Sequence, residues 1–234
     1  MRLAISGTAA QGKTTLLKDF LSKWDMYETP EITYRSVLKS DKRSKHSKQT
    51  NKDTQWKILN NMIDQMETYS DDSMVIYDRC PLDNLIYSMW AYHKGVGDID
   101  EHFVEKCIPI VRQSMHFLDV IFYIPLTNVT DDKIDDKDEG VREKDVEYIK
   151  EIDNLFKAMY NNWASGDTRF FPKEDRSAMI EIFGTPEERI TMINMYVDDN
   201  GKMYGEDDSL VDTSTITDQF GNIMPDETEN KVYE

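Results

Sequence analysis

The chain has few of the features that mark secreted or membrane proteins. Its 234 residues include two cysteines, Cys80 and Cys107, which are too few for a disulfide framework. No apolar run approaches the roughly 18 residues of a membrane-spanning helix. The first residues lack the length and cleavage pattern of a signal peptide and already have the character of a strand. We therefore expect an intracellular, cytoplasmic protein with reduced thiols and no membrane contact.

Positive charge is also scarce. The 28 Lys and Arg residues are outnumbered by 45 Asp and Glu, which gives a net charge of −17 and argues against general affinity for nucleic acids. Residues 196–234 hold eleven acids against two lysines. The exception is residues 39–48, with five cationic side chains and one acid. This basic segment is either a solvated loop or a contact for a polyanionic acceptor, such as DNA that carries a modified base.

Hydrophobic patterning predicts strands that alternate with helices. Strands are predicted at 3–5, 74–77, 120–124 and 179–183, with helices near 16–24, 56–69, 82–89, 101–117, 146–163 and after 187. Asp53 or Thr54 is expected to cap the second helix. The alternation is typical of a three-layer α/β domain with a mainly parallel central sheet and helices on both faces. We expect this domain over residues 1–195 and, over 196–234, a hairpin turn followed by an acidic, disordered tail.

The segment Gly7-Thr8-Ala9-Ala10-Gln11-Gly12-Lys13-Thr14 matches the pattern G-x-x-x-x-G-K-[ST] between the first strand and the first helix. Its glycines let backbone N–H groups converge on phosphate oxygens, and the positive end of the following helix lies there too. Lys13 is expected to neutralise the β and γ phosphates, and Thr14 to bind Mg²⁺. Binding of ATP with Mg²⁺ is predicted, with the phosphates lined by Gly7, Ala10, Gln11, Gly12, Lys13, Thr14 and Thr15.

An acid and a cation, Asp78 and Arg79, follow the second predicted strand. The end of a neighbouring buried strand is where a second Mg²⁺-binding side chain is expected, and Asp78 fits that position. A simple turn residue at a strand end is the alternative. Arg79 places a cation where it can hold the acceptor of a phosphoryl group. An enzyme that only hydrolyses ATP has less need for such a cation. The pair therefore favours phosphoryl transfer over hydrolysis.

Together with the phosphate loop, the segment Asp78-Arg79-Cys80-Pro81-Leu82-Asp83-Asn84-Leu85-Ile86-Tyr87 resembles the D-R-x-x-x-D-x-x-x-Y element of nucleoside and nucleotide kinases. The chain is also similar to a small AAA-labelled kinase-like family related to nicotinamide riboside kinases, common in bacteria and phages. Residues 30–35 resemble its second-strand segment, residues 138–145 its D-G-x-R-x-x-D lid, and residues 184–189 the terminal loop that packs against adenine.

For the donor, the resemblance implies an adenine contact at Gly184-Thr185-Pro186 and a lid at about 128–150. Arg142 on this lid is expected to turn toward the transferred group, and a solvent-facing arginine at a helix start is the alternative. Because the lid has few arginines, the transition-state charge would fall mainly to Lys13, Arg79 and Arg142.

For the acceptor, Arg35 and Arg79 are the expected binding residues, and Glu31 or Asp83 would orient the attacking hydroxyl. Gln55 is a candidate for a contact with a base. Each of these has a structural alternative: Glu31 as an exposed loop acid, Asp83 as the cap of the following helix, and Gln55 as a surface glutamine.

The predicted function is an ATP-dependent phosphotransferase that moves the γ-phosphate to a hydroxyl or phosphate of a nucleoside- or nucleotide-like acceptor. Deoxynucleotides and modified bases of phage DNA are among the candidate acceptors, in a bacterial or phage-infected cell. The alternative is an ATP- or GTP-hydrolysing switch, or a partner-binding NTPase, without a small-molecule acceptor. The pair Asp78-Arg79 and the lid residue Arg142 favour the kinase. The sequence leaves the acceptor, the donor preference and the oligomeric state open.

Overall fold

The computed structural model describes residues 1–31, 38, 49–127 and 145–204. Arg35, the basic segment 39–48, lid residues 128–144 with Arg142, and the tail from residue 205 lie outside the described residues. Within the described part, the strands are β1 (Arg2–Ser6), β2 (Val75–Asp78), β3 (Val120–Tyr123) and β4 (Ala178–Glu181). The α-helices there are α1 (Lys13–Lys23), α2 (Lys52–Thr68), α3 (Pro81–Lys94), α4 (Glu101–Ser114), α5 (Val146–Ala164) and α6 (Pro186–Ile193).

The four strands form one parallel sheet in the order β2-β1-β3-β4. Because β1 lies between β2 and β3, the chain reverses its direction of travel across the sheet at the carboxyl end of β1, which is where ligands bind in open α/β sheets. Ile5 of β1 is in register with Asp78 of β2 and with Phe122 of β3. Asp78 therefore lies beside the point where the chain leaves β1 for the phosphate loop.

Side chains of the sheet alternate between two apolar layers, as the two-residue period of a strand requires. Ala4 and Tyr77 face a large cluster with α2, α3, α4 and α5, whereas Leu3 and Ile76 face a smaller one with α1 and α6. The three-layer α/β fold with a parallel sheet and helices on both faces is thus confirmed. None of the described helices is both long and apolar enough to cross a membrane.

One predicted helix boundary is wrong. Helix α2 begins at Lys52 and is capped by Asn51, whose side chain accepts a hydrogen bond of 2.9 Å from the N–H of Thr54. Asp53 and Thr54, the expected caps, already lie inside the helix. Asn51 has an extended backbone, which lets its side-chain oxygen reach the first turn.

Residues beyond α6 pack against the end of α1. The indole of Trp24 donates to the carbonyl of Asp198 at 2.7 Å, and the hydroxyl of Tyr27 donates to that of Gly201 at 2.5 Å. Val197 and Met203 form an antiparallel bridge across the intervening turn. Gly201 has φ 76°, and a Cβ atom there would lie 2.7 Å from the Tyr27 ring, so this turn needs glycine.

Candidate active site

The phosphate loop, residues 7–14, joins β1 to α1 through a series of left-handed residues. Gly7 has φ 138°, and a Cβ atom there would lie 2.5 Å from the carbonyl oxygen of Ile124. Ala10 and Gly12 have φ 62° and 71°. Left-handed residues that alternate with ordinary ones turn successive N–H groups into one concavity, which is an anion-binding arrangement. Helix α1 starts at Lys13, within this loop, so the positive end of the helix is directed at the same concavity.

Three side chains named from the sequence lie where this loop enters α1. Lys13 is buried, and its ammonium group donates to the carbonyl oxygen of Thr8 within the loop. The hydroxyl of Thr14 lies 3.4 Å from Oδ2 of Asp78. Oδ1 of Asp78 is buried and has no hydrogen-bond partner among the described residues. A buried carboxylate oxygen without a partner is costly, and a cation bound there would offset that cost.

The donor set at Thr14 and Asp78 fits Mg²⁺. Mg²⁺ prefers oxygen ligands and is usually held by one or two carboxylates together with water and substrate phosphates. One hydroxyl and one carboxylate beside a phosphate-binding loop match that requirement. Among the described residues there is no cluster of three or more His, Cys, Asp or Glu that would hold a metal without phosphates.

Arg79 is directed into the protein. It has φ 84°, an unusual conformation for a residue with a side chain, and its guanidinium group is buried. Nη1 donates to Oδ1 of Asp83 at 2.7 Å and to the carbonyl of Gly7 at 3.0 Å. Nη2 donates to the hydroxyl of Tyr87 at 3.3 Å, and the guanidinium carbon lies 5.2 Å from the centre of that ring. Arg79 thus links the start of the phosphate loop to α3.

Asp83 is buried in the first turn of α3 and completes the capping box of that helix, whose N-cap is Cys80. Its Oδ2 accepts hydrogen bonds from the hydroxyl of Ser6 at 2.6 Å and from the N–H of Cys80 at 3.2 Å, and its Oδ1 from Arg79. Burial, with the Asp83 carboxylate nearby, raises the pKa of the Cys80 thiol well above its usual value. Of the two interpretations of Asp83, the geometry supports the helix cap, which also connects β1 to α3.

The other acceptor candidates lie in different surroundings. Gln55 is buried. Its Nε2 donates to the hydroxyl of Thr50 at 2.7 Å, and its Oε1 accepts a hydrogen bond from Asn84 at 2.6 Å. Glu31 is exposed at the end of the first described range. Arg35 and Arg142 lie outside the described residues.

The turn expected to contact adenine leads into α6. Gly184 has φ 90°, and a side chain there would collide with the carboxylate of Glu188. That carboxylate accepts from the N–H of Thr185 at 2.7 Å, while the Thr185 hydroxyl accepts from the N–H of Glu188 at 3.3 Å. This reciprocal capping box fixes where α6 begins.

Helix α6 carries Arg189, a residue of the site that sequence reasoning missed. Its Nη1 donates to the carbonyl oxygen of Gln11 at 2.5 Å and lies 3.3 Å from where a Cβ atom of Gly12 would be. Burial lowers the pKa of its guanidinium below the ordinary value. One signal for it existed, because Arg189 precedes the buried Ile193 by four residues and therefore shares its inward face.

Thr8 is a second loop residue whose contact was not expected. Its buried hydroxyl donates to the carbonyl of Ile149 on α5 at 3.1 Å. The phosphate loop is therefore held by α3 and α5 in one helical layer and by α6 in the other.

One protein family and several solved structures match this chain. Residues 2–166 match a protein family described as "AAA domain". A search of curated proteins gives no match. Among solved structures, deoxyadenosine kinase from M. mycoides with dCMP and dCDP bound is 16% identical, with a TM-score of 0.59 over 83% of this chain and 97% of that chain.

Two further structures share the fold. NadR in complex with NR is 15% identical, with a TM-score of 0.55 over 83% of this chain but 49% of NadR. Thymidylate kinase from Candida albicans is 12% identical, with a TM-score of 0.52 over 82% of this chain and 88% of that chain. At these identities the likeness concerns the fold. The chain belongs to the family described as "AAA domain", and its fold is that of the P-loop nucleoside and nucleotide kinases.

Proposed function

We propose that the protein is a kinase that transfers the γ-phosphate of ATP to a hydroxyl or phosphate of a nucleoside- or nucleotide-like acceptor. The observation that carries this proposal is the convergence of Lys13, Thr14 and Asp78 at the phosphate loop. The fold supports it, because deoxyadenosine kinase has been solved with dATP and with dCTP bound, and NadR with NAD and AMP-PNP.

The donor half of the reaction rests on the loop. Backbone N–H groups and the Lys13 ammonium would hold the β and γ phosphates in line with the acceptor, which is the main task of the protein in phosphoryl transfer. Thr14 and Asp78 would hold Mg²⁺, and the bound ion would neutralise charge on the phosphate oxygens. The turn at 184–186 would contact adenine.

The acceptor half rests on residues with different support. The contacts of Arg79 with Asp83, Gly7 and Tyr87 favour a role in fixing the loop over a direct grip on the acceptor. Glu31 remains the candidate for orienting the attacking hydroxyl. Arg35 and Arg142 remain candidates for binding the acceptor and the transferred phosphate. A deoxynucleotide, or DNA bound through the basic segment 39–48, is the acceptor to test first.

The test is ATP turnover with Mg²⁺, measured with and without a panel of nucleosides, deoxynucleotides and DNA. We expect ADP formation to depend on one acceptor class and on Mg²⁺. Lys13→Ala should lower turnover at least about 1,000-fold with an unchanged circular dichroism spectrum, because it removes the cation that faces the phosphates. Lys18→Ala, an exposed lysine on the same helix, is the matched control and should behave like wild type.

Two results would contradict the proposal. Full turnover by Lys13→Ala would show that the loop is not the donor site. ATP hydrolysis that no acceptor accelerates, with no phosphorylated product, would instead support the alternative of a nucleotide-hydrolysing switch.

A further inference from the structure

We propose that Arg189 is a positioning residue for the donor phosphates, which it serves by holding the Gln11–Gly12 peptide from the outer side of the phosphate loop. This inference rests on the proposed function in one respect, that the loop binds the phosphates of a nucleotide. It adds a residue from the far end of the domain to a site otherwise built from β1, α1 and β2.

The burial of Arg189 calls for an electrostatic explanation. The residue is 5% exposed, and none of the acidic side chains in the described ranges forms an ion pair with it. Its Nε is buried without a hydrogen-bond partner, and Nη1 donates to Gln11. A buried cation without an anion is strongly unfavourable. A phosphate bound in the adjoining loop would supply the missing negative charge.

The geometry of the peptide bond gives Arg189 a direct effect on the loop. The described residues contain no cis peptide, so the Gln11 carbonyl and the Gly12 N–H point in opposite directions across one planar unit. Because the Gln11 carbonyl is directed at Arg189 on α6, the Gly12 N–H points away from α6, where it would donate to a phosphate bound in the loop. A hydrogen bond to the carbonyl also polarises the peptide and makes this N–H a stronger donor.

The position of Arg189 is set by the start and the inner face of α6. The capping box of Thr185 and Glu188 fixes the first turn, and Ile193 anchors the last turn in the apolar layer shared with α1. Arg189 lies one helical turn after the turn at 184–186. A shift of that turn would therefore move the guanidinium and, through it, the Gln11–Gly12 peptide.

The experiment measures binding rather than turnover. Calorimetric titrations with ATP and with inorganic tripolyphosphate, both with Mg²⁺, are made on the full chain and on Arg189→Met and Arg189→Lys. We expect Arg189→Met to weaken the binding of both ligands about 10- to 100-fold, because a charge-assisted hydrogen bond and a buried charge are lost. Arg189→Lys, which keeps the charge, should recover part of the affinity. In turnover assays the KM for ATP should rise more than kcat falls.

Arg2 supplies a matched control at the other end of β1. It is as buried as Arg189 and its Nε also lacks a partner, but it is paired with Asp71 at 2.9 Å. Arg2→Lys should leave affinity for both ligands within about twofold. Thermal unfolding of each variant separates lost stability from lost affinity, and titrations are made well below the lowest midpoint.

The outcomes separate this inference from the proposed function. Unchanged affinity of both Arg189 variants, with affinity lost in Lys13→Ala, would overturn the role of Arg189 alone. Weakened binding in the Arg189 variants of a protein that phosphorylates no acceptor would overturn the kinase proposal alone. If the wild-type chain bound neither ATP nor tripolyphosphate, both the kinase proposal and the role of Arg189 would be wrong.

Discussion

Arg79 and Arg189 contact the phosphate loop from opposite helical layers, and they differ in charge balance. Each donates to a backbone carbonyl of the loop, Arg79 to Gly7 and Arg189 to Gln11. Arg79 is paired with the buried carboxylate of Asp83, so its side of the loop is neutral. No such partner of Arg189 occurs within the described part of the chain. We infer that the Arg79 side fixes the loop mechanically, whereas the Arg189 side also supplies positive charge to its ligand.

The largest effect that separates the two sides is expected at Asp83. Asp83→Ala leaves Arg79 buried without its counter-ion and removes the cap of α3, so the free energy of unfolding should fall by about 3–5 kcal/mol. Asp83→Asn keeps the shape and an acceptor oxygen and should cost less. Urea denaturation followed by circular dichroism measures both variants.

The control for this prediction is an ion pair whose two partners are both exposed. Glu105 pairs with Arg169, and their side chains are 53% and 57% exposed. Glu105→Ala should therefore change the free energy of unfolding by at most about 1 kcal/mol. A loss as small as this in Asp83→Ala would contradict the idea that the pair with Arg79 fastens the loop to α3.

The same comparison shows what the sequence can predict. Among the described residues, the periodicity of the apolar side chains predicted the four strands of the parallel sheet and the six α-helices. The match to G-x-x-x-x-G-K-[ST] and the acid after β2 predicted that Lys13, Thr14 and Asp78 would converge, because the carboxyl ends of parallel strands meet at one edge. These are local patterns whose positions in space follow from the topology of the sheet.

The contacts of the two arginines depend on tertiary structure and were not predictable in that way. Arg79 turns inward because of its left-handed backbone and because Asp83, four residues later, lies in the first turn of α3. Arg189 donates to a backbone carbonyl 178 positions away. Because every residue has a backbone carbonyl, the residue types do not show which one an arginine will contact. The sequence therefore identifies which cationic side chains are candidates for binding a ligand. Burial and ion pairing in the folded structure decide which of them have a positive charge that is not already neutralised by an acid.

A smaller effect is expected at the cap of α6, on the Arg189 side. Thr185→Ala removes one half of the capping box and should lower the free energy of unfolding by about 1 kcal/mol. It should also weaken ATP binding severalfold, by less than Arg189→Met, since the first turn that positions Arg189 is loosened. Thr191→Ala, an exposed threonine further along α6, should leave ATP affinity unchanged. If Thr185→Ala and Thr191→Ala lost the same affinity for ATP, the cap of α6 would have no specific effect on the phosphate loop.

The smallest effect on ATP affinity is expected at Tyr87, on the Arg79 side. Tyr87→Phe removes the hydrogen bond of 3.3 Å from Arg79 but keeps the ring beside the guanidinium, so about 0.5–1.5 kcal/mol of stability should be lost. Affinity for ATP should stay within about twofold of wild type, because the pair with Asp83 still holds Arg79. Tyr92→Phe on the same helix is the control, and urea denaturation with ATP titration measures both variants. If Tyr87→Phe weakened ATP binding as strongly as Arg189→Met, the two sides would not differ as inferred, and Arg79 would itself act on the bound phosphates.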